Sequence, residues 1–274
     1  MKPVAPIFVN DLFEPMLDRL LQLLRQLSKQ EWSLPTPCEG WTVKDLAQHL
    51  LGDEIGELSG GRDKDTAGWL PPGPDLVSRI NAHNQLWVEA TRRMSPRLIC
   101  DLLDITGHDV VQYFKSLDLM AIGGPVSWAG PDPAPVWFDV AREYTERWHH
   151  QQHIREAVHQ PGLTEAKFLR PVLDTFVRAL PFTFRSVEAP ENTVVELSIT
   201  GDAGQSWFLL RKEARWSLFT ETSIPPIATT TIDQETAWKL FTKGIARETA
   251  RNKASIQGDT ELAAHTFEAV SIIA

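Results

Sequence analysis

Leu12, Met16, Leu20, Leu21, Leu24 and Leu27 recur three and four residues apart, which predicts an amphipathic helix over residues 8–28. A turn over 35–41 follows, and Thr42 reads as the N-cap of a second helix, with Asp45 as the acid of a capping box. Val43, Leu46, Ala47, Leu50 and Leu51 lie along one side of that helix. Residues 55–74 contain Gly60, Gly61, Pro71 and Pro72 and read as a loop, and a third helix is predicted over 75–93. Ser95 and Pro96 then supply an N-cap and a first-turn proline for a helix reaching Ser116. Residues 123–135, rich in Gly and Pro, read as a long loop of the kind that borders a cavity. The next helix is predicted over 136–159, stopping before Pro161 and Gly162.

The texture changes near residue 163. Residues 167–184 read as a helix with Leu169, Val172, Leu173, Phe176, Val177 and Leu180 on its buried side. Residues 194–200, 206–212 and 214–220 are rich in β-branched and aromatic side chains and predict strands, the first two joined through Gly201, Asp202, Ala203 and Gly204. A fourth strand is expected over 227–232, and Asp233 caps a helix running to Phe241. Residues 261–267 fit either a helix or a strand. The pattern therefore predicts an α+β chain in two domains, a helical bundle over 1–163 and a small α+β domain over 164–274.

Composition narrows the function. A formal charge of −9 with no clustered Lys or Arg argues against nucleic acid as a partner and leaves a small molecule. With no apolar run near the ~18 residues of a membrane span and no basic start leading into an apolar stretch, no membrane partner and a cytoplasmic location are expected. Two cysteines, Cys38 and Cys100, give no disulfide framework and suit a reducing compartment. Cys38, in the turn before a helix, reads as a small packed hydrophobe, and Cys100 reads as core. The ten tryptophans read mainly as wedges within the cores.

One segment stands out chemically. Glu146 and His150 are four residues apart on the long helix and point the same way, so together they can grip a cation. Two ligands do not close a site. His49, on the second helix, is the best-placed third, and the three would leave a coordination position open, as catalytic Zn²⁺ requires. His149 and His153 are also four apart on nearly the same face, so spacing leaves them open as ligands or as groups orienting the ligands. Arg155 reads as a structural ion-pairing group or as a holder of an acidic substrate.

The run from Pro35 through Cys38, Gly40, Trp41 and Thr42 to His49 resembles the start of the mycothiol-dependent maleylpyruvate isomerase family, one of the DinB-like metal-binding four-helix bundles. Glu146, His150, Ile154, Arg155 and Ala157 are similar to its second signature. The resemblance implies His49, Glu146 and His150 as metal ligands, and it extends through Ala179, Leu180 and Pro181 into a sterol-carrier-like α+β half that includes residues 237–241, Gly258 and Asp259. Many members carry aspartate where this chain has His153. The activity implied is that of a metal-dependent isomerase or S-transferase in which a low-molecular-weight thiol such as mycothiol binds the metal as a thiolate and acts on a small electrophile. Hydrolysis by metal-bound water, with His149 or His153 as general base, and a non-catalytic module binding metal or an apolar ligand are the alternatives. Zinc heads the metals expected, with Ni²⁺, Mn²⁺ and Fe²⁺ also accepting such ligands. A monomer or small homo-oligomer is expected.

Overall fold

The structure is a computed structural model that describes residues 1–65 and 70–272. In chain order its first elements are β1 (Lys2–Pro3), α1 (Asn10–Gln26), α2 (Val43–Gly56), α3 (Leu76–Thr91), α4 (Pro96–Ser116) and α5 (Val136–Ala157). The rest are α6 (Ala166–Phe176), α7 (Leu180–Thr183), β2 (Val194–Thr200), β3 (Ser206–Lys212), β4 (Arg215–Glu221), β5 (Ala228–Asp233), α8 (Gln234–Phe241), α9 (Arg247–Lys253), β6 (Ser255–Gly258) and α10 (Thr260–Ala264). Short 3₁₀ turns link some of them. Among the described residues, no helix is long and apolar enough to cross a membrane.

Two compact units share the chain. The helical unit takes Val9–Asp118 and Glu143–Leu163. Its core takes in Leu20, Leu21 and Leu24 of α1, as the leucine spacing foretells, with Leu17 beside them; they meet Leu46, Leu50 and Leu51 of α2, Ile99 and Leu103 of α4, and Ile154 of α5, all buried. Each such side chain taken fully out of water contributes about 1.5–3 kcal/mol. Cys100 lies in this core, as its sequence context suggests.

The entry to α2 is built with care. Thr36 N donates to Trp41 O (3.0 Å), and Val43 N donates to Leu34 O (3.0 Å), so residues 34–43 fold into a closed turn. Gly40 has φ +80°, a backbone conformation that side-chain-bearing residues rarely adopt. The predicted capping box is complete: Thr42 Oγ1 accepts from Asp45 N (3.3 Å), and Asp45 Oδ2 accepts from Thr42 N (3.0 Å). A cap of this kind is worth about 1 kcal/mol.

The predicted loop over 55–74 needs correction. From Glu57 to Arg62 the chain continues α2 as a wide π-helical turn, so Gly60 and Gly61 are helical. Residues 66–69 of that loop lie outside the described residues.

The second unit takes Met1–Phe8, Leu119–Arg142 and residues 164–272. Its six strands form one sheet in the order β1-β4-β3-β2-β5-β6. β2 and β5 run parallel, and every other neighbouring pair is antiparallel. The helix predicted over 167–184 is divided by a 3₁₀ turn at Val177–Ala179, after which Pro181 sits in the first turn of α7. The loop over 123–135 is not structureless. Gly123 N donates to Ala134 O (2.8 Å) and Val136 N to Ala121 O (2.9 Å), which zips it into a hairpin. It does border a cavity, of about 320 Å³, where Trp128 lines the wall with Phe182, Arg185 and Arg247. The ambiguous stretch over 261–267 is helical, comprising α10 and a 3₁₀ turn.

Candidate metal centre

From Glu143 to Ile154, α5 is buried at every position but Glu146, although most of these residues are polar. Water leaves such groups only at a cost unless partners replace it. Part of this segment is satisfied structurally. Trp148 Nε1 donates to Leu163 O (2.8 Å), Gln152 Oε1 accepts from Leu163 N (2.9 Å), and Gln151 Nε2 donates to Met16 O (3.2 Å). Arg147 Nη1 pairs with Glu143 Oε2 at 2.5 Å. Arg155 turns to Gln151 Oε1 (3.2 Å) and to the carbonyl of Pro161 (3.0 Å).

The remaining polar side chains converge. His49 Nε2 of α2 lies 3.5 Å from Glu146 Oε1, and His150 Nε2 lies 2.9 Å from the same oxygen. The His49 and His150 rings meet edge to face with centroids 4.7 Å apart. All three ligand atoms lie within 4.8 Å of one another. Around a tetrahedral ion with bonds of about 2.0–2.2 Å, N and O donors sit about 3.4 Å apart, so the donor set fits a divalent cation with little movement. The side chain of Glu146 is 31% exposed against 5% for His49, and this leaves one side of the set open to approach.

Charge couples the members of the set. Burial alone would raise Glu146, yet His150 beside it and hydrogen bonds from both histidines hold its pKa well below the ordinary carboxylate range. Burial works against a charged His150, but Glu146 outweighs it and raises the imidazole, with Cys38 adding to the shift. His149 goes the other way. Burial, then the charge of His150, pushes it down to about 3, so it stays neutral with its ring against that of His153 at 4.1 Å.

Two residues enter the site that the sequence reading did not place there. Asp53 Oδ2 lies 3.4 Å from His49 Nε2, one helical turn along α2. Burial, offset by His49, raises its pKa to about 6. Its spacing from His49 is the same as that between Glu146 and His150, so a signal for it is present in the sequence. Cys38, read as a packing residue, instead lies with its Sγ 3.1 Å from His153 Nδ1 and 3.8 Å from His150 Nδ1. His153 thus sits on the Cys38 side of His150 and not on the Glu146 side. Trp41 packs its ring 5.1 Å from that of His49.

Glu54, one residue beyond Asp53, is buried at 3% exposure, and burial, only partly countered by Arg147, raises its pKa to about 8. An unfolded chain loses this proton near pH 4.5, whereas the fold keeps it to about pH 8. Between those values unfolding releases a proton, so stability is lost as pH rises through the window, at up to about 1.4 kcal/mol per pH unit. Glu54→Gln keeps the neutral form throughout. It is expected to match the wild type at pH 5 and to exceed it by on the order of 3 kcal/mol at pH 8 in urea unfolding. Equal pH slopes in the two proteins would remove this role for Glu54.

Fold and site together define a class, a helical bundle with a candidate divalent-cation site joined to a mixed-sheet α+β unit. The family described as the mycothiol maleylpyruvate isomerase N-terminal domain matches residues 13–155, more than half of the 274-residue chain, and the chain belongs to that family. Among solved structures, the chain is similar to a histidine-to-alanine mutant of the mycothiol-dependent maleylpyruvate isomerase. The identity is 12% over 90% of this chain and 91% of that one, with a TM-score of 0.51. The unmutated isomerase aligns at 13% identity over 84% and 86% of the two chains, TM-score 0.49. The UbiJ–SCP2 ubiquinone synthesis protein aligns at 20% identity over 39% of this chain and 91% of its own, TM-score 0.26. No curated protein matches by sequence. The expected architecture, a helical N-terminal region followed by an α+β domain, is the one observed.

Proposed function

We propose that this protein is a metal-dependent enzyme that uses a low-molecular-weight thiol of the mycothiol kind to isomerise, or to transfer the thiol to, a small electrophilic substrate. The observation carrying this reading is the convergence of His49, Glu146 and His150 from two helices, with an exposed edge at Glu146. A divalent metal held there supplies one thing, a thiol kept as its thiolate at neutral pH, far below the ~8.5 at which free thiols ionise. The chain's residues do the rest. His49, buried at 4% exposure and walled by Trp41, is fixed in place, so the ligand atoms are set before any thiol arrives. Asp53, whose Oδ2 lies 3.4 Å from His49 Nε2, adds negative charge beside the set and so favours a dication. His149, held neutral, adds no competing positive charge. Resemblance to the isomerase in fold and family supports the choice of a thiol over other ligands.

The test is calorimetric titration of zinc-loaded protein with mycothiol, and with glutathione as a second thiol, in buffers of different ionisation enthalpy. Saturable binding with about one proton released per thiol is expected with at least one of them, and it should vanish in Glu146→Ala. Absence of binding by both thiols to metal-replete protein would overturn the proposal.

A further inference from the structure

His150 faces two ways. Its Nε2 lies 2.9 Å from Glu146 Oε1, while its Nδ1 lies 3.8 Å from Cys38 Sγ. On that second side, His153 Nδ1 comes to 3.1 Å from the same sulfur. The three atoms Cys38 Sγ, His150 Nδ1 and His153 Nδ1 lie within 4.8 Å of one another. We infer that Cys38, His150 and His153 form a second metal-binding set, one thiolate and two imidazoles, which takes a thiophilic cation such as Zn²⁺ or Cu⁺ and shares His150 with the His49 and Glu146 set.

Geometry, chemistry and access each support this. With Zn–S near 2.3 Å and Zn–N near 2.05 Å, tetrahedral angles place sulfur and nitrogen donors about 3.6 Å apart. The two sulfur–nitrogen separations, 3.1 and 3.8 Å, bracket that value. Carboxylate and imidazole make the first set a borderline-hard site, whereas a thiolate makes the second softer, so the two differ in preferred metal. Binding displaces to solvent the Cys38 thiol proton and any proton on His150 Nδ1 and His153 Nδ1, leaving the sulfur as thiolate and both nitrogens with a lone pair for the metal. Both histidines are buried, but Cys38 is only partly so, and it sits in the turn preceding α2 where an ion can reach it. That turn is closed by backbone hydrogen bonds and by Thr36 Oγ1 on the carbonyl of Trp41 (2.8 Å), so the sulfur is held in position rather than swung in on a loose loop.

The consequence is a metal centre that carries its own thiolate. With the second set filled, sulfur is a ligand even when no small thiol is present. The set stands on its own ligand geometry and does not depend on the thiol activity proposed above.

The test uses full-length protein, stripped with chelator, reduced, freed of all small thiols and loaded anaerobically with Co²⁺. Thiolate ligation gives an intense near-ultraviolet charge-transfer band that N/O ligation lacks. The wild type and Cys100→Ser are expected to show the band, and Cys38→Ser to lose it while keeping its far-ultraviolet circular dichroism. His49→Ala, which breaks only the first set, is expected to keep the band. His153→Gln is expected to weaken Co²⁺ binding at the sulfur-containing set by tenfold or more. A wild-type protein that binds Co²⁺ without the band, or a band that survives Cys38→Ser, would overturn the inference. In that event, Co²⁺ binding lost in His49→Ala and kept in Cys38→Ser would leave the first set and its proposed chemistry standing.

Discussion

In a Cys38→Ser background, where the sulfur-containing set cannot bind, alanine at His49 or at Glu146 is expected to lower affinity for a divalent metal by a factor of 100 or more, read as loss of stoichiometric zinc in metal analysis of dialysed protein. Disturbing a residue that merely orients a ligand costs about 10- to 100-fold, and His49 and Glu146 are proposed as ligands themselves. The two substitutions act differently. Glu146 Oε1 is the atom on which both histidines converge, so Glu146→Ala also removes the anion that stabilises them. His49→Ala leaves the Glu146 and His150 pair intact, and a weak two-ligand site remains. Metal also stabilises whatever fold binds it. At 1,000 times Kd the gain is about 4 kcal/mol, so zinc is expected to raise the melting temperature of the Cys38→Ser parent and leave both alanine variants made in it unmoved. Zinc retained at full stoichiometry in both variants would end the case for this set.

The second large effect is on stability. Arg147 is 9% exposed, pairs with Glu143, and lays its guanidinium 5.6 Å from the ring centroids of both Phe13 and Phe114. Removing one member of a buried ion pair strands the other, at a typical cost of 3–5 kcal/mol. Arg147→Met is expected to lose about that much in urea unfolding, because the buried Glu143 carboxylate loses its Arg147 counterion. The double variant Arg147→Met with Glu143→Gln is expected to recover most of the loss, since replacing both charges by neutral groups removes the stranded anion. A single-variant loss below about 1 kcal/mol would show that water reaches the pair and that the interior is wetter than its burial implies.

Local regularities carried most of what the sequence revealed. The leucine spacing in α1, the Thr42 and Asp45 cap, and the Ser95 and Pro96 start of α4 are each set within one or two helical turns. The resemblance, and not the spacing, selected His150 over His149 and His153, because all three lie within four residues on one helix and period alone cannot rank them. Errors arose where local cues conflict with tertiary context. Gly60 and Gly61 signal a loop, yet the backbone there stays helical as a wide turn. α9 (sequence RETARNK) and β6 (SIQG) bury almost nothing apolar, so neither leaves a hydrophobic period to read. Cys38 meets His153 across 115 residues of chain, a proximity that no local pattern encodes.

The polar middle of α5 bears on how the protein tolerates change. A core of leucines and valines has many near-equivalent repackings, which is why ordinary interiors accept one aliphatic residue for another at modest cost. Between Glu143 and His153 the interior is held by hydrogen bonds and charge pairs with assigned partners, such as Arg147 with Glu143 and Gln152 with the backbone of Leu163. A network of that kind has few substitutes for any member, since a half-satisfied network is worse than none. The segment of the bundle richest in chemistry is therefore also its least interchangeable stretch, and variation in the chain is expected to gather on the leucine faces that surround it.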